Sequence, residues 1–305
     1  MDIRIATRKS ALALWQAEHV AAILRELPAI SRVELVPLST RGDEVLDRSL
    51  QKIGGKGLFI KELEVAMQEG VAELAVHSMK DVPAEMPNGF CIAAVVERAN
   101  PADALVANGA QRLADLAEGA RVGTSSLRRQ AQLKVLRPDA DVRPLRGNVN
   151  TRLAKLQEGQ YDAVILAAAG LERLGLASRI SEQLPTSSML PAAAQGVIGI
   201  ECPIDRDELR ETLSAIEHAE TRRTTLAERA VAARLGADCQ SPIASFATID
   251  GATMTLDALV ALPDGSRTLR EQVRGSVDDP ESLGIELAER LLDLGAAEML
   301  GEHGG

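Results

Sequence analysis

The patterning of the chain changes once, and that change bounds what it can fold into. Up to about residue 218, short apolar strands alternate with amphipathic helices; from Ala219 onward, helices flank strands joined by tight turns. The alternating part opens with a strand at Asp2 to Ala6, a helix from about Ser10 to Leu27 and a strand at Val33 to Leu38, the βαβ signature of a largely parallel sheet. Val20, Ile23, Leu24 and Leu27 recur at helical spacing and form one apolar stripe able to cover that sheet. A helix over about Leu58 to Glu69 and strands at Glu73 to Ser78 and Phe90 to Val96 follow.

The pattern breaks at Asn100-Pro101, a crossover to a second set of units with strands at Arg121 to Gly123, Asp141 to Pro144 and Asp162 to Ala167. An apolar strand at Gly196 to Glu201 comes late enough to return to the first sheet. The reading is two α/β lobes with paired crossovers. After a polar helix ending near Leu235-Gly236, the turns Asp250-Gly251 and Asp264-Gly265 separate alternating strands. A single closing helix is expected from Pro280 to Leu300, where Leu283, Leu287, Leu291 and Leu294 repeat. A chain of 305 residues exceeds what one core organises, and three domains are expected: 1–98 with 196–217, 99–195, and a small α+β domain at 218–305.

Composition then excludes partners. One Trp, one Tyr and three Phe are too few stacking surfaces for a single-stranded nucleic-acid groove, and a net charge of −10 opposes phosphate binding, so nucleic acid is not expected. No window reaches bilayer-spanning length, and the amino terminus has no apolar run that could act as a secretory signal. No membrane association is expected, and a cytoplasmic location is. Cys91, Cys202 and Cys239 are odd in number and widely spaced, which suits neither a disulfide framework nor a metal site, and no metal is expected. Cys91 and Cys202 lie inside apolar strands. Cys239, in the turn-rich run Leu235 to Pro242, is the candidate reactive thiol.

The acidic total conceals a basic segment. Arg121 to Lys155 holds nine Lys or Arg against two Asp, whereas Ala219 to Gly305 holds eight against fifteen acids. In the basic segment, Gly123-Thr124-Ser125-Ser126-Leu127-Arg128-Arg129 follows a strand and opens a helix, bringing hydroxyls and free backbone N–H groups to the positive end of a helix dipole. Arg146-Gly147-Asn148-Val149-Asn150-Thr151-Arg152 repeats the arrangement, and Thr7-Arg8-Lys9-Ser10 does so in the first lobe. One such junction is ordinarily a capped helix. Three of them carrying five arginines point to a ligand with several carboxylates, which a guanidinium grips with paired hydrogen bonds. The glycine-flanked stretch from Gly42 to Gly57 has the composition of a mobile lid and equally of a solvated loop, and Lys52, Lys56 and Lys61 would add positive charge to a cleft. His77-Ser78-Met79-Lys80-Asp81-Val82-Pro83 puts ionisable groups just past a strand's carboxyl end, where α/β proteins bind ligands, and Asp81 is the candidate catalytic carboxylate.

Six segments resemble the porphobilinogen deaminase (hydroxymethylbilane synthase) family, in order and across nearly the whole chain: Thr7 to Gln16, Gly54 to Phe59, His77 to Pro83, Gly123 to Gln130, Arg146 to Arg152, and Cys239-Gln240-Ser241-Pro242. Ala237-Asp238 departs from the Gly-Gly common in the family before the cysteine, a change of loop stiffness rather than chemistry. The resemblance implies a transferase of haem and tetrapyrrole biosynthesis that joins four porphobilinogen molecules on a dipyrromethane cofactor held by a thioether to Cys239. It assigns Asp81 to catalysis. It assigns the substrate's and cofactor's carboxylates to Arg8, Arg128, Arg129, Arg146, Arg152 and Arg173, with Ser10, Thr124, Ser125 and Ser126 donating hydrogen bonds. Lys80 is implied to assist them in binding carboxylates, Lys52, Lys56 and Phe59 are implied as assisting lid and loop residues, and the protein is implied to be a monomer. The family's first two domains are similar to periplasmic solute-binding lobes, and a protein that closes on a ligand without turnover is the rival reading. Such a protein requires neither a third domain nor a thiol like Cys239.

Overall fold

A computed structural model describes residues 1–40, 60–236 and 241–301. They divide into two compact units, Met1–Ala99 with Val197–Arg222, and Asn100–Gly196 with Arg223–Gly305.

The first unit is built on strands β1 (Asp2–Arg8), β2 (Arg32–Leu38), β3 (Leu74–Ser78), β4 (Phe90–Val95) and β10 (Ile198–Pro203) in the order β2-β1-β3-β10-β4. The first three are parallel and β10 runs against both its neighbours. Helix α1 (Ala11–Arg25) lays Val20 and Leu24 into a core with Ile3, Ile5, Leu74, Val76, Ile198 and Ile200, while Ile23 and Leu27 of the expected stripe are partly buried at its rim. Each fully buried side chain of this size contributes about 1.5–3 kcal/mol. The other face of the sheet is covered by α2 (Lys61–Gln68), whose Leu63, Ala66 and Met67 meet Ala6, Ala75 and Phe90.

In the second unit, the sheet of β5 (Asp103–Ala107), β6 (Arg121–Gly123), β7 (Asp141–Arg143), β8 (Ala163–Ala167) and β9 (Glu182–Leu184) has the order β7-β6-β8-β5-β9. It repeats the first topology: three parallel strands, then one antiparallel strand from the crossover, then an edge strand. The crossover strand is β5 here and β10 in the first unit. Sequence pattern did not mark β5 or β9. Strand β5 is short and opens on a charged residue, Asp103, and β9 is only three residues long.

The same unit holds a meander of β11 (Ile243–Asp250), β12 (Thr253–Ala261) and β13 (Thr268–Ser276), joined at the two expected Asp-Gly turns. Helix α8 (Pro280–Asp293) covers it with Leu283, Leu287 and Leu291. The closing helix is not continuous: Gly295, at φ 96°, ends α8, and a short α9 (Ala296–Gly301) follows. That backbone is open to glycine and strained for other residues, so leucine periodicity alone overran the break. Buried Glu228, on α7 (Ala219–Arg234), ties the meander down by accepting from the backbone N–H groups of Ala247 (2.8 Å) and Ala194 (2.6 Å). Ala131 of α3 (Leu127–Leu136) packs on Ala244, Leu259 and Ala261 of the meander. No helix among the described residues is long and apolar enough to cross a membrane.

Candidate functional site

In the first unit the candidate residues gather at the carboxyl ends of adjacent parallel strands. Ser10 caps α1, its Oγ accepting from the Ala13 N–H at 3.3 Å, while buried Thr7 donates to the Ala13 carbonyl. A hydroxyl that accepts still has its proton to give, so capping leaves Ser10 able to meet a carboxylate. Arg8 ends β1, half-buried. Strand β3 stops at Ser78, whose Oγ lies 2.8 Å from Nε2 of buried Gln16 on α1.

Met79, Lys80 and Asp81 then form one 3-10 turn. Met79 anchors it twice, its N–H reaching the Val197 carbonyl at 3.0 Å and its side chain packing, 1% exposed, on Gly199 of β10. A Cβ at Gly199 would stand 2.1 Å from the Met79 sulfur, so any larger residue there would push the Met79 side chain out of this seat. The result is an exposed Asp81 and a half-buried Lys80 on an anchored turn. An ionised carboxylate held in this way can stabilise a developing cation without first reorganising.

In the second unit, β6, β7 and β8 are parallel, so their carboxyl ends share an edge. Thr124 Oγ1 accepts from the Ser126 N–H at 3.2 Å, and Ser126 caps α3 through the Arg129 N–H at 3.4 Å. Ser125 is clamped to the backbone of Leu145, at 2.9 Å to both its N–H and its carbonyl. Asn148 caps α4 (Val149–Gln157), accepting from the Thr151 N–H at 3.0 Å, and Arg152 Nε donates to the Gly147 carbonyl at 2.7 Å. Arg146 is half-buried, and its guanidinium has no partner among the described residues. Arg173, on α5 (Ala168–Arg173), donates to the Gly196 carbonyl at 2.8 Å; burial pulls it down to about 10, which still leaves it a cation at neutral pH.

Arg128 and Arg129 are not exposed arms. They are 3% and 6% exposed, and both grip Asp103 at the start of β5, at 2.8 Å and 2.7 Å. Gln195 donates to the same carboxylate at 2.9 Å. Burial works against ionising Asp103, yet Arg128 and Arg129 together hold it well below the usual carboxylate range; burial also lowers Arg128 in spite of Asp103. Two guanidiniums against one carboxylate leave a buried excess of one positive charge, and Arg128 Nε has no hydrogen-bond partner among the described residues. Such a group is completed by an anion. Sequence reasoning missed Asp103, Gln195 and Glu228. A carboxylate in the run Ala102-Asp103-Ala104-Leu105-Val106 is the signal that marks the first of these.

Cys239, Lys52, Lys56 and Phe59 lie outside the described residues. The chain enters the Cys239 segment from Gly236, just past α7, and leaves it at Ser241, before β11. Cys91 and Cys202 are free and directly opposite each other on β4 and β10; burial, then Cys91, pushes Cys202 up to about 12, as expected of inert core thiols.

Two family models match the chain: porphobilinogen deaminase, dipyromethane cofactor binding domain, over residues 3–211, and porphobilinogen deaminase, C-terminal domain, over residues 223–293. A porphobilinogen deaminase of Chromobacterium violaceum is 53% identical over 298 residues, 98% of this chain and 96% of that protein. Among solved structures, the methionine-binding protein MetQ is 13% identical with a TM-score of 0.46, covering 72% of this chain and 92% of that one. A putative methionine-binding lipoprotein of Bacillus subtilis is 12% identical with a TM-score of 0.45, covering 71% and 90%.

Proposed function

The chain belongs to the porphobilinogen deaminase family, and from that premise we propose how its own residues divide the work. The enzyme is a transferase of tetrapyrrole synthesis: it condenses four porphobilinogen molecules head to tail with loss of ammonia, then releases hydroxymethylbilane by hydrolysis. Its dipyrromethane cofactor, when bound, supplies the free pyrrole α-carbon to which the first substrate is joined.

Asp81 is the catalytic carboxylate. As the substrate's aminomethyl group loses ammonia, positive charge develops on the pyrrole that remains, and the carboxylate stabilises it. The same oxygens can accept from a pyrrole N–H and hold the ring in line for attack. What carries this assignment is the placement of Asp81, exposed on a turn that Met79 and Gly199 fix at the carboxyl edge of β3. Lys80, Arg8 and Ser10 stand at the same edge and receive acetate or propionate arms.

On the second unit, Arg146, Arg152, Arg173, Thr124 and Ser126 receive further carboxylates, Ser125, whose one proton goes to the Leu145 carbonyl, fixes the loop beside them, and the Arg128–Asp103–Arg129 group supplies the buried positive excess that they complete. That unmatched charge fits a cofactor carrying carboxylate arms. Cys239 is the attachment point, and Lys52, Lys56 and Phe59 assist as the family resemblance implies. Three domains, 1–98 with 196–217, 99–195 and 218–305, follow the three sheets. A cytoplasmic monomer completes the reading, and light scattering on the eluted protein should return the 32.4 kDa of one chain.

Asp81→Asn is the test of the catalytic assignment. Turnover should drop by about 100-fold or more, with unchanged thermal unfolding and with the covalent cofactor still present by mass. Turnover within about twofold of wild type would remove Asp81 from the mechanism.

A further inference from the structure

Behind the Asp81 turn the first unit buries His77 and Glu201 and sets the half-buried Glu64 against them, three ionisable side chains that the reaction above does not use. His77 and Glu201 are diagonal neighbours across the β3–β10 pairing, since Gly199 opposes His77 and Ala75 opposes Glu201. Imidazole Nε2 lies 2.7 Å from Glu201 Oε2, with the two residues 6% and 1% exposed. The third group comes from α2. Ile60, Leu63 and Met67 form the buried stripe, and helical spacing puts Glu64 inside it, where an apolar residue is the ordinary choice.

The Glu64 carboxyl interacts with both Glu201 and His77. Glu64 and Glu201 each keep one carboxyl oxygen, Oε1, buried with no donor among the described residues. Ionised carboxylates only accept, so facing carboxyls are satisfied when one of them holds a proton. Burial, and next the charge of Glu201, push Glu64 up to about 7, against the opposing pull of His77 and Lys61. The remaining charged groups around α2 are Glu62 on the helix itself and, on the same face of β1, Arg4, which is bound to Glu73, and Arg8. Cys91 and Cys202 lie on the opposite face of the sheet.

We propose that His77, Glu201 and Glu64 form a proton-holding cluster that positions the Asp81 turn, so that loss of its proton loosens the turn and lowers turnover. This rests on the assignment of Asp81 as the catalytic carboxylate. The linkage is short. Only Ser78 separates His77 from the turn, and the pairing of β3 with β10 that the cluster bridges is the pairing that seats Met79 over Gly199. A second negative charge between α2 and β10 repels the helix from the strand, and the shift reaches the turn through His77. His77, Glu201 and Glu64 are positioning residues; none touches substrate.

The test uses the full-length holoenzyme, wild type and Glu64→Gln, with kcat and KM measured from about pH 6 to pH 9, and with the His77 imidazole followed by 15N NMR over the same range. In wild type, kcat should decline at least about threefold above pH 7 while KM moves less than about twofold. In Glu64→Gln, which keeps the shape of the protonated acid, the decline should disappear. The His77 15N shifts, as a reporter of the neighbouring carboxyl, should carry the Glu64 inflection near pH 7 in wild type and lose it in Glu64→Gln. An equal decline in both proteins, or a His77 titration indifferent to Glu64, overturns the proposal. The same NMR titration on Asp81→Asn separates the two ideas: an unchanged inflection with undiminished turnover sinks the role of Asp81, and with it the cluster's effect on turnover through that turn, while the shared proton itself is retained.

Discussion

In the first unit the crossover strand β10 carries Glu201 into the interior, where it meets His77 and the carboxyl of Glu64; in the second, the corresponding strand β5 carries Asp103, which meets two guanidiniums. The strand orders are equivalent, and each buries a carboxylate on its antiparallel member. The companions differ. The first interior holds its charge in check with protons and presents a carboxylate, Asp81, above it. The second holds an excess of positive charge and presents serines, a threonine and arginines. One scaffold used twice thus yields one half suited to a developing cation and one suited to anions, and the difference lies in a few buried residues rather than in topology.

The contrast breaks most readily at Asp103. Asp103→Ala leaves two buried guanidiniums without a counter-charge and should cost about 3–5 kcal/mol of unfolding free energy, read from the urea midpoint at constant slope. A loss under about 1 kcal/mol would mean that the arginines reach water or each other's partners, and that the buried excess is not real.

Gly199→Ala should cost about 1–3 kcal/mol through overpacking on Met79 and lower kcat with it. Adding Met79→Ala should restore part of the stability, because the two residues share one contact. Strict additivity in that double mutant would show that the glycine is not a seat for the turn.

The two interiors should also respond to pH with opposite signs. Asp103 has a lowered folded-state pKa, so its contribution is present above the ordinary carboxylate range and is lost as pH falls below about 4. Glu64 is raised from 4.5 to about 7, so the folded state binds more protons across that window and stability falls as pH rises through it. Unfolding midpoints across about pH 4 to 8 should therefore decline less in Glu64→Gln than in wild type. A matching decline would place the Glu64 carboxyl in solvent.

Smallest are the effects of single surface arginines. Arg146→Leu, at a guanidinium without a described partner, should raise KM about tenfold, the worth of one charge-assisted hydrogen bond. Arg267→Leu removes an exposed pair with Glu298, 3.1 Å apart, and should leave the kinetics within about twofold. Equal effects at the two positions would contradict the functional difference between the regions.

Much of the site residues' placement in both units was legible because its signals are local. Ser126 and Asn148 cap helices where strand-to-helix junctions place them, and Asp81 follows its strand as spacing predicts. What the pattern hides is long-range. Arg128 and Arg129 read as ligand arms, but their first partner is Asp103, 26 residues from Arg129 in sequence. Glu201 pairs with His77 across 124 residues. Burial of a charge depends on which elements come to cover it, and only the anomalies, a Glu within Ile60-Leu63-Met67 and an acid within each apolar crossover strand, register in the sequence. Gly295 shows the converse: one residue ended a helix that leucine spacing carried on.

The most direct test is the intact mass of the purified protein beside Cys239→Ser, each after incubation with porphobilinogen. Wild type should exceed its sequence mass by two linked pyrrole units, and Cys239→Ser should match its sequence mass. An excess retained in Cys239→Ser, or absent from both proteins, would contradict a primer held at that cysteine.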